Sequence, residues 1–293
     1  MDGAIVLDKP AGMTSFAAVR KIRRLVGGAK VGHLGTLDPA ATGVLPIVVG
    51  RATRLARFYL DHRREYVARI RFGWSTSTYD AEGIQVGEAK QVELDESALE
   101  AALESFRGCV SQVPPPVSAK KVDGVRAYKL ARKDEPVELE PAAIEVHALE
   151  LLELAGPIAT VRCLCSAGTY IRSLAHDLGA ALGCGAHVCG LNRTKVGEFQ
   201  LDDAHSLQRL EEFQAEDRLE EAVRPPAALV PGIPVERVDA VTAARIRHGQ
   251  DFSVSALGEC ATAQLVKAVD PQGHLLCVGE AVAPGWFHPL VVL

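Results

Sequence analysis

The sequence predicts a chain of mixed helices and strands, built as one large domain with a smaller β-rich one behind it. Three observations carry this expectation. At 293 residues with 48% apolar content, the chain exceeds the roughly 100 to 200 residues of an average domain and can bury a sizeable core. Apolar patterns of both period two and period 3.6 occur along it. Four prolines within residues 225–234 then set off a shorter tail, as a linker would.

The elements follow in order. AIVLDKP, residues 4–10, reads as a short strand. Thr14 or Ser15 then caps a helix with Phe16, Val19, Ile22 and Leu25 on one face and Arg20, Lys21, Arg23 and Arg24 elsewhere, ended by Gly27-Gly28. VGHLGTLDPAATG, residues 31–43, holds four turn-forming Gly/Pro residues and reads as irregular, leading into the buried strand VLPIVVG. A loop between a basic helix and a core strand is where function tends to sit. RATRLARFYLD, residues 51–61, reads as a helix. In EYVARIRFG the alternation puts Tyr66, Ala68, Ile70 and Phe72 on one face and Arg69 and Arg71 on the other.

Residues 95–107 form an amphipathic helix with Leu99, Leu103 and Phe106 on its apolar side. QVPPPVSAKKVDGVRAYKLARK, residues 112–133, breaks all periodicity and reads as an excursion from the core. AAIEVHALELLEL and PIATVRCLCSAG are strands, and TYIRSLAHDLGAALG is a helix carrying Ile171, Leu174, Leu178 and Leu182 on one face. Beyond RPPAALVPGIPVERV, the linker, a short helix DAVTAARIRHG precedes a hairpin, VKAVD and LLCVGEAVA around Pro271-Gln272-Gly273.

The formal net charge of -5 counts against a nucleic-acid partner, because neutralising phosphates takes clustered Lys and Arg. The average conceals segregation. Residues 1–70 hold twelve Lys/Arg against five Asp/Glu, and residues 118–133 hold six against one. Residues 134–153 hold seven acids and no base, and residues 202–221 hold eight acids against two arginines. Such sign separation suits a protein with one RNA-facing side. No run approaches the ~18 apolar residues of a membrane span, and the N-terminus has no signal-peptide pattern, so a soluble cytoplasmic protein is expected. Seven cysteines without a Cys-x-x-Cys pair argue for reduced, mostly buried thiols. No P-loop or dinucleotide fingerprint is present.

Several segments together resemble a known family: VLDKPAGMTS, KVGHLGTLDPAATGVLPIVVGRATR, REYVARIRFGWSTSTYDAEG, PPPVSAKKVDGVRAYKLAR and CSAGTYIRSLAHDLGAALGCGAHVCGLNRTKVG. They look like the segments of the TruB family of tRNA pseudouridine synthases, in that family's order and with similar spacing, over residues 1 to about 200. The resemblance implies an α+β fold: a catalytic domain at 1–225 with a large mixed, mainly antiparallel sheet, a thumb insertion near 112–133, and a small PUA-like RNA-binding β domain at 232–293. It implies a substrate, the T-arm of tRNA, and a reaction, isomerisation of the T-loop uridine at tRNA position 55. A monomer without metal or cofactor is expected.

The reaction needs a nucleophile that can attach and leave, removal of the C5 proton, and exclusion of water. By the resemblance Asp38 is the catalytic carboxylate, whether it attacks the sugar, attacks the base, or draws a proton to give a glycal. An isolated Asp-Pro would instead read as a turn or helix cap. Arg172 matches the arginine that holds the aspartate ionised, and Tyr66 the tyrosine that packs on the target base and assists C5 deprotonation. The target nucleotide must be flipped out, and His33 matches the residue inserted in its place. Tyr170 and Leu191 match residues lining the uracil pocket, and Lys9-Pro10 a motif that supports Tyr66. Lys120 and Lys121, with Arg126, Lys129, Arg132 and Lys133, give the excursion a phosphate-seeking surface. His176, Cys184, His187 and Cys189 offer soft ligands, but their spacing fits no standard zinc site. Two other readings stay open: a pseudouridine synthase for a different RNA, and an RNA-binding or tRNA-folding protein whose chemistry is incidental.

Overall fold

The computed structural model describes residues 1–117, 121–122, 125–126, 139–255 and 259–293, with backbone alone for 121–122 and 125–126. In chain order the elements begin with β1 (Gly3–Lys9), α1 (Ser15–Leu25), β2 (Val31–His33), β3 (Thr42–Val49), a 3₁₀ run (Gly50–Tyr59) and β4 (Arg64–Phe72). Next come β5 (Ser75–Thr76), β6 (Gln85–Val86), α2 (Glu96–Ser105), β7 (Gly108–Gln112), β8 (Lys121–Val122), β9 (Val125–Arg126), β10 (Ala142–Ala155) and β11 (Ile158–Cys165). The rest are α3 (Ile171–Ala181), β12 (Ala186–Val196), β13 (Phe199–Gln200), α4 (Leu207–Ala215), β14 (Val235–Arg237), α5 (Ala240–Arg247), β15 (Phe252–Ser253), β16 (Leu265–Val269), β17 (Leu275–Ala283) and β18 (Trp286–Val292). Of the expected thumb, β8 and β9 form an antiparallel pair. Its residues 118–120, 123–124 and 127–133, Lys120 included, lie outside the described residues.

The chain divides into two units, one of Met1–Pro39, Val44–Leu60 and Glu198–Leu293, the other of Ala40–Gly43 and Asp61–Gly197. In the second unit β7, β10, β11, β4 and β12 lie side by side, each antiparallel to its neighbours. Thr42 and Gly43 of β3 pair with β12 in parallel, so the sheet is mixed and mainly antiparallel, as the α+β reading has it. The alternation in β4 is realised: Tyr66, Ala68, Ile70 and Phe72 are buried, and a fully buried Ile or Phe contributes about 1.5–3 kcal/mol. The carboxylate of Asp95 accepts from Ala98 N and caps α2, which buries Leu99 and Leu103. On α3, Ile171, Leu174 and Leu178 are buried as expected.

In the first unit β1 lies beside β3, and β2 is antiparallel to β3. Thr14 caps α1 by accepting from Ala17 N. The buried stripe of that helix is Ser15, Ala18 and Ile22, and Phe16, expected inside, is 69% exposed. The rotation has a local cause: the Ser15 hydroxyl is drawn inward to both the N–H and the carbonyl of Leu37. Residues 50–59, where a helix was expected, wind as a 3₁₀ helix, with the Thr53 hydroxyl donating back to Gly50 O at 2.8 Å. Side-chain return to the backbone of this kind competes with regular α-helical bonding.

The tail forms its own sheet in the order β14-β16-β17-β18-β15, β14 and β16 being parallel and the rest antiparallel. Phe252, Phe287, Ile246 and Val266 belong to its core. The hairpin turn is closed by Asp270, whose carboxylate accepts from Gln272 N and His274 N. The expected linker is packed instead of loose. Leu229, Val230 and Ile233 are buried, Val230 N donates to the Tyr59 hydroxyl at 2.9 Å, and the buried Lys267 ammonium donates to Ala227 O and Leu229 O. Proline here fixes φ in a folded segment.

Candidate active site

Each unit holds part of the expected constellation. In the first, Asp38 sits half-buried on the loop after β2. Its neighbours on both sides are fixed. The Ser15 hydroxyl accepts from Leu37 N at 2.8 Å and donates to Leu37 O at 2.9 Å. Pro39 O accepts from Gly12 N at 2.9 Å and from the Lys9 ammonium at 3.2 Å. Lys9 is 0% exposed and also donates to Pro10 O and Met13 O. Its three donors therefore tie the Lys-Pro turn to the residue after Asp38. The hydrophobic anchors of the loop are Leu34 and Leu37, both buried. His33 lies at the end of β2, where its Nδ1 accepts from Gly35 N at 3.3 Å.

In the second unit Tyr66, on β4, pairs with Cys163 of β11 on one side and Arg193 of β12 on the other. Leu191 stands opposite Ala68 on β12, and its carbonyl accepts from the Thr42 hydroxyl at 3.5 Å. Close approach of strands requires glycine at 43. A Cβ there would lie 2.3 Å from Arg193 O and 2.2 Å from Asn192 Oδ1, at a φ of +98°. Tyr170 caps α3 without a side-chain bond; its backbone is gripped by the buried Gln112 amide, which accepts from Tyr170 N at 2.8 Å and donates to Tyr170 O at 3.0 Å.

Arg172, 5% exposed, spreads its guanidinium over Thr78 O at 3.1 Å, Val117 O at 3.0 Å and Asp80 Oδ2 at 3.3 Å. Asp80 is itself oriented: its Oδ1 accepts from the Thr78 hydroxyl at 2.5 Å and from Glu82 N at 3.1 Å. The turn bearing Asp80 is unusual at Tyr79, a non-glycine residue at φ +62°. That conformation costs an L-residue roughly 1–2 kcal/mol. The Tyr79 ring stacks on His176 with centroids 3.8 Å apart and planes at 13°. Burial, then the Asp177 carboxylate, push the Tyr79 phenol up. Burial pulls the His176 imidazole down, against Asp177, and burial pushes Asp177 up.

The sequence marked Ser15 only as a candidate helix cap and left Asp80 and Gln112 without a role. Asp80 stands in the quoted Tyr-Asp-Ala-Glu-Gly turn, and that turn was the only signal available. Of the Lys9 bonds described, two stay in its own turn and one runs to the loop of Asp38, where support of Tyr66 was expected. Among the soft residues, His187 Nδ1 meets Trp74 O at 3.1 Å and the Cys189 thiol donates to Arg69 O at 3.4 Å. Among the described residues no group of three or more His, Cys, Asp or Glu is placed to hold a metal ion. Lys121 is described by its backbone alone.

Comparison with known proteins places the chain in a family. Residues 23–171 match the model of the TruB family pseudouridylate synthase N-terminal domain, and residues 172–230 that of the tRNA pseudouridylate synthase B C-terminal domain. The chain is 53% identical over 293 residues to a tRNA pseudouridine synthase B of Solibacter usitatus (strain Ellin6076), covering 100% of both. It is 41% identical over 289 residues to the protein of that name from Dechloromonas aromatica (strain RCB), covering 99% of this chain and 94% of the relative. Among solved structures, it is similar to a chain of a Cbf5-Nop10-Gar1 complex at a TM-score of 0.73 and 29% identity, covering 97% of this chain and 79% of that one. An H/ACA RNP bound to a substrate RNA containing 2'-deoxyuridine is similar at 0.71 and 28%, covering 95% and 78%. Matched by family models over residues 23–230 and along its whole length by a relative that is more than half identical, the chain belongs to the TruB family of pseudouridylate synthases.

Proposed function

We propose that this chain is an isomerase that converts the uridine at position 55 of the tRNA T-loop to pseudouridine, with Asp38 as the catalytic carboxylate. Membership of the TruB family, whose relatives are named tRNA pseudouridine synthase B, supports the reaction. The observation that carries the residue assignment is the Asp38 loop. A half-exposed carboxylate stands between two residues whose backbones are held by buried side chains, so it is presented without freedom to drift. Fixed placement of a reacting group is a large part of catalysis.

The chemistry is self-contained. The N1–C1′ bond breaks, the freed uracil turns, C5 bonds to C1′, C5 loses its proton, and N1 takes one up. Asp38 supplies a nucleophile that is also a competent leaving group. Tyr66 packs against the base and assists at C5, and Arg172 holds charge near the reacting groups. Tyr170 and Leu191 line the uracil, and His33 fills the place the base leaves. Lys120 and Lys121 contact phosphates, and the segment 232–293 is a PUA-like module that adds RNA contact. The enzyme acts as a monomer in the cytoplasm and needs no metal or cofactor. Among the described residues no helix is long and apolar enough to cross a membrane.

The deciding experiment incubates wild type and Asp38→Asn with a T-arm RNA and maps pseudouridine. Wild type is expected to convert position 55, and Asp38→Asn to bind the RNA with conversion at background. Conversion by Asp38→Asn well above background overturns the assignment. Wild-type conversion of another RNA, with the T-arm untouched, overturns the substrate.

A further inference from the structure

Helix α3 touches the turn that carries Asp80 at two points one helical turn apart. Arg172 reaches Thr78 O and Asp80 Oδ2. Four residues on, His176 lays its ring on Tyr79 at 3.8 Å. Residues at i and i+4 share a helix face, so the ionic contact and the stack form one edge.

The same turn is strained where the stack meets it. Tyr79 holds φ +62°, and no other non-glycine residue described in the second unit has a positive φ. Around it the backbone is closed tightly. Tyr79 N donates to Thr76 O at 3.2 Å, the Thr76 hydroxyl to Asp80 O at 2.6 Å, Val188 N to Tyr79 O and Ala81 N to Val188 O, both at 3.0 Å. A bulky side chain at a left-handed position persists only where its surroundings over-determine it. The ring of His176 supplies that: the residue is half-buried, and its Nδ1 atom is buried with no hydrogen-bond partner among the described residues. The imidazole is therefore held there by its face.

We infer that the Tyr79–His176 stack is a positioning clasp for the reaction: it fixes the turn that aims Asp80 at Arg172, and so sets the geometry of that guanidinium. The inference rests on the proposed role of Arg172. Neither Tyr79 nor His176 touches the reacting atoms; both act through Asp80. An ordinary packing role would make any loss follow stability alone. The clasp makes it follow the ring and vanish when Asp80 is already gone.

Tyr79→Gly separates the two, because glycine adopts φ +62° without strain while removing the ring. At saturating RNA its single-turnover rate constant is expected to fall about tenfold with RNA affinity nearly unchanged, the pattern of a group acting in the transition state. Tyr79→Phe, which restores the ring, recovers the rate; His176→Ala repeats the loss, and the double variant is no worse than either single one. In an Asp80→Asn background, Tyr79→Gly subtracts nothing further. A full rate in Tyr79→Gly or His176→Ala, or a loss that adds to that of Asp80→Asn, overturns the clasp. Amide exchange over residues 76–84 reads it without RNA: both ring-deleting variants should exchange faster there, and unchanged exchange overturns it even if the wild type converts no uridine. Failure of the wild type on T-arm RNA, with exchange raised in the variants, rejects the substrate and leaves the clasp supported.

Discussion

The buried ammonium of Lys9 donates to the carbonyl of Pro39 at 3.2 Å, one residue past Asp38. A lysine from the end of the first strand thus sets the far side of the loop that presents the Asp38 carboxylate, the proposed catalytic group.

Lys9→Met keeps the volume and removes the donors, leaving Pro10 O and Met13 O to find other partners while Pro39 O keeps Gly12 N. An unsatisfied buried polar group costs about 1–3 kcal/mol, so a loss of about 3 kcal/mol is expected from chemical denaturation. The single-turnover rate should fall further than RNA affinity does. A variant with wild-type stability and rate would show that the loop holds itself.

Arg172→Lys keeps the charge but replaces a fork serving Thr78 O, Val117 O and Asp80 with a point donor. At sites of this kind the exchange is not conservative. The rate constant should drop by ten- to a hundredfold, on the order of one or two lost charge-assisted bonds, with affinity for RNA little changed. Wild-type turnover in the lysine variant would remove Asp80 from the account.

Gly43→Ala places a methyl 2.3 Å from Arg193 O at a φ of +98°. Strain and clash act together, and a destabilisation of about 3 kcal/mol or more is expected, beyond the usual range for a surface change. The measurement is the denaturation midpoint beside that of Gly156→Ala, where nothing lies within 4 Å and only the positive φ is strained. Equal losses at the two sites would mean that β3 and β12 part easily.

Burial lowers the pKa of both His176 and His205, the latter also under the influence of Arg209. Below the ordinary histidine value of 6.5 the unfolded chain takes up protons that the folded chain does not yet accept. Stability is therefore fully present above that pH and is lost as pH falls through the depressed folded values. Asp177, pushed up mainly by burial, acts in the opposite sense but nearer the carboxylate range. Melting temperatures should decline from about pH 7.5 to about pH 5.5, and His205→Gln should flatten the decline. An unaltered slope in that variant would place the effect elsewhere.

Much of this was readable beforehand, for physical reasons that can be named. Period two in EYVARIRFG placed Tyr66 inward, because a sheet with one buried face forces that register. The Asp38 loop stood out because glycine and proline punctuate it. Other features leave no periodic trace. Ser15 turns inward for a hydrogen bond and carries the helix face with it, so a reading of apolar residues alone put Phe16 inside. Asp80 and Gln112 act on partners distant in sequence, Arg172 and Tyr170, and no local pattern announces such a pair. A 3₁₀ run and an α-helix share i,i+3 neighbours, so residues 51–61 could not be separated by pattern. Proline content marked 225–234 as a linker, yet composition says nothing of whether a segment is buried.

The anchoring of that segment bears on how parts of this protein can be exchanged. Lys267 sits on β16 of the tail sheet and grips Ala227 O and Leu229 O, while Val230 N reaches the hydroxyl of Tyr59. A chimaera cut at residue 231 would sever the donor from its acceptors and bring in a foreign strand unable to greet them. A seam placed upstream lets the prolines travel with the sheet they serve but parts Val230 N from Tyr59, so a faithful transplant must carry Tyr59 as well.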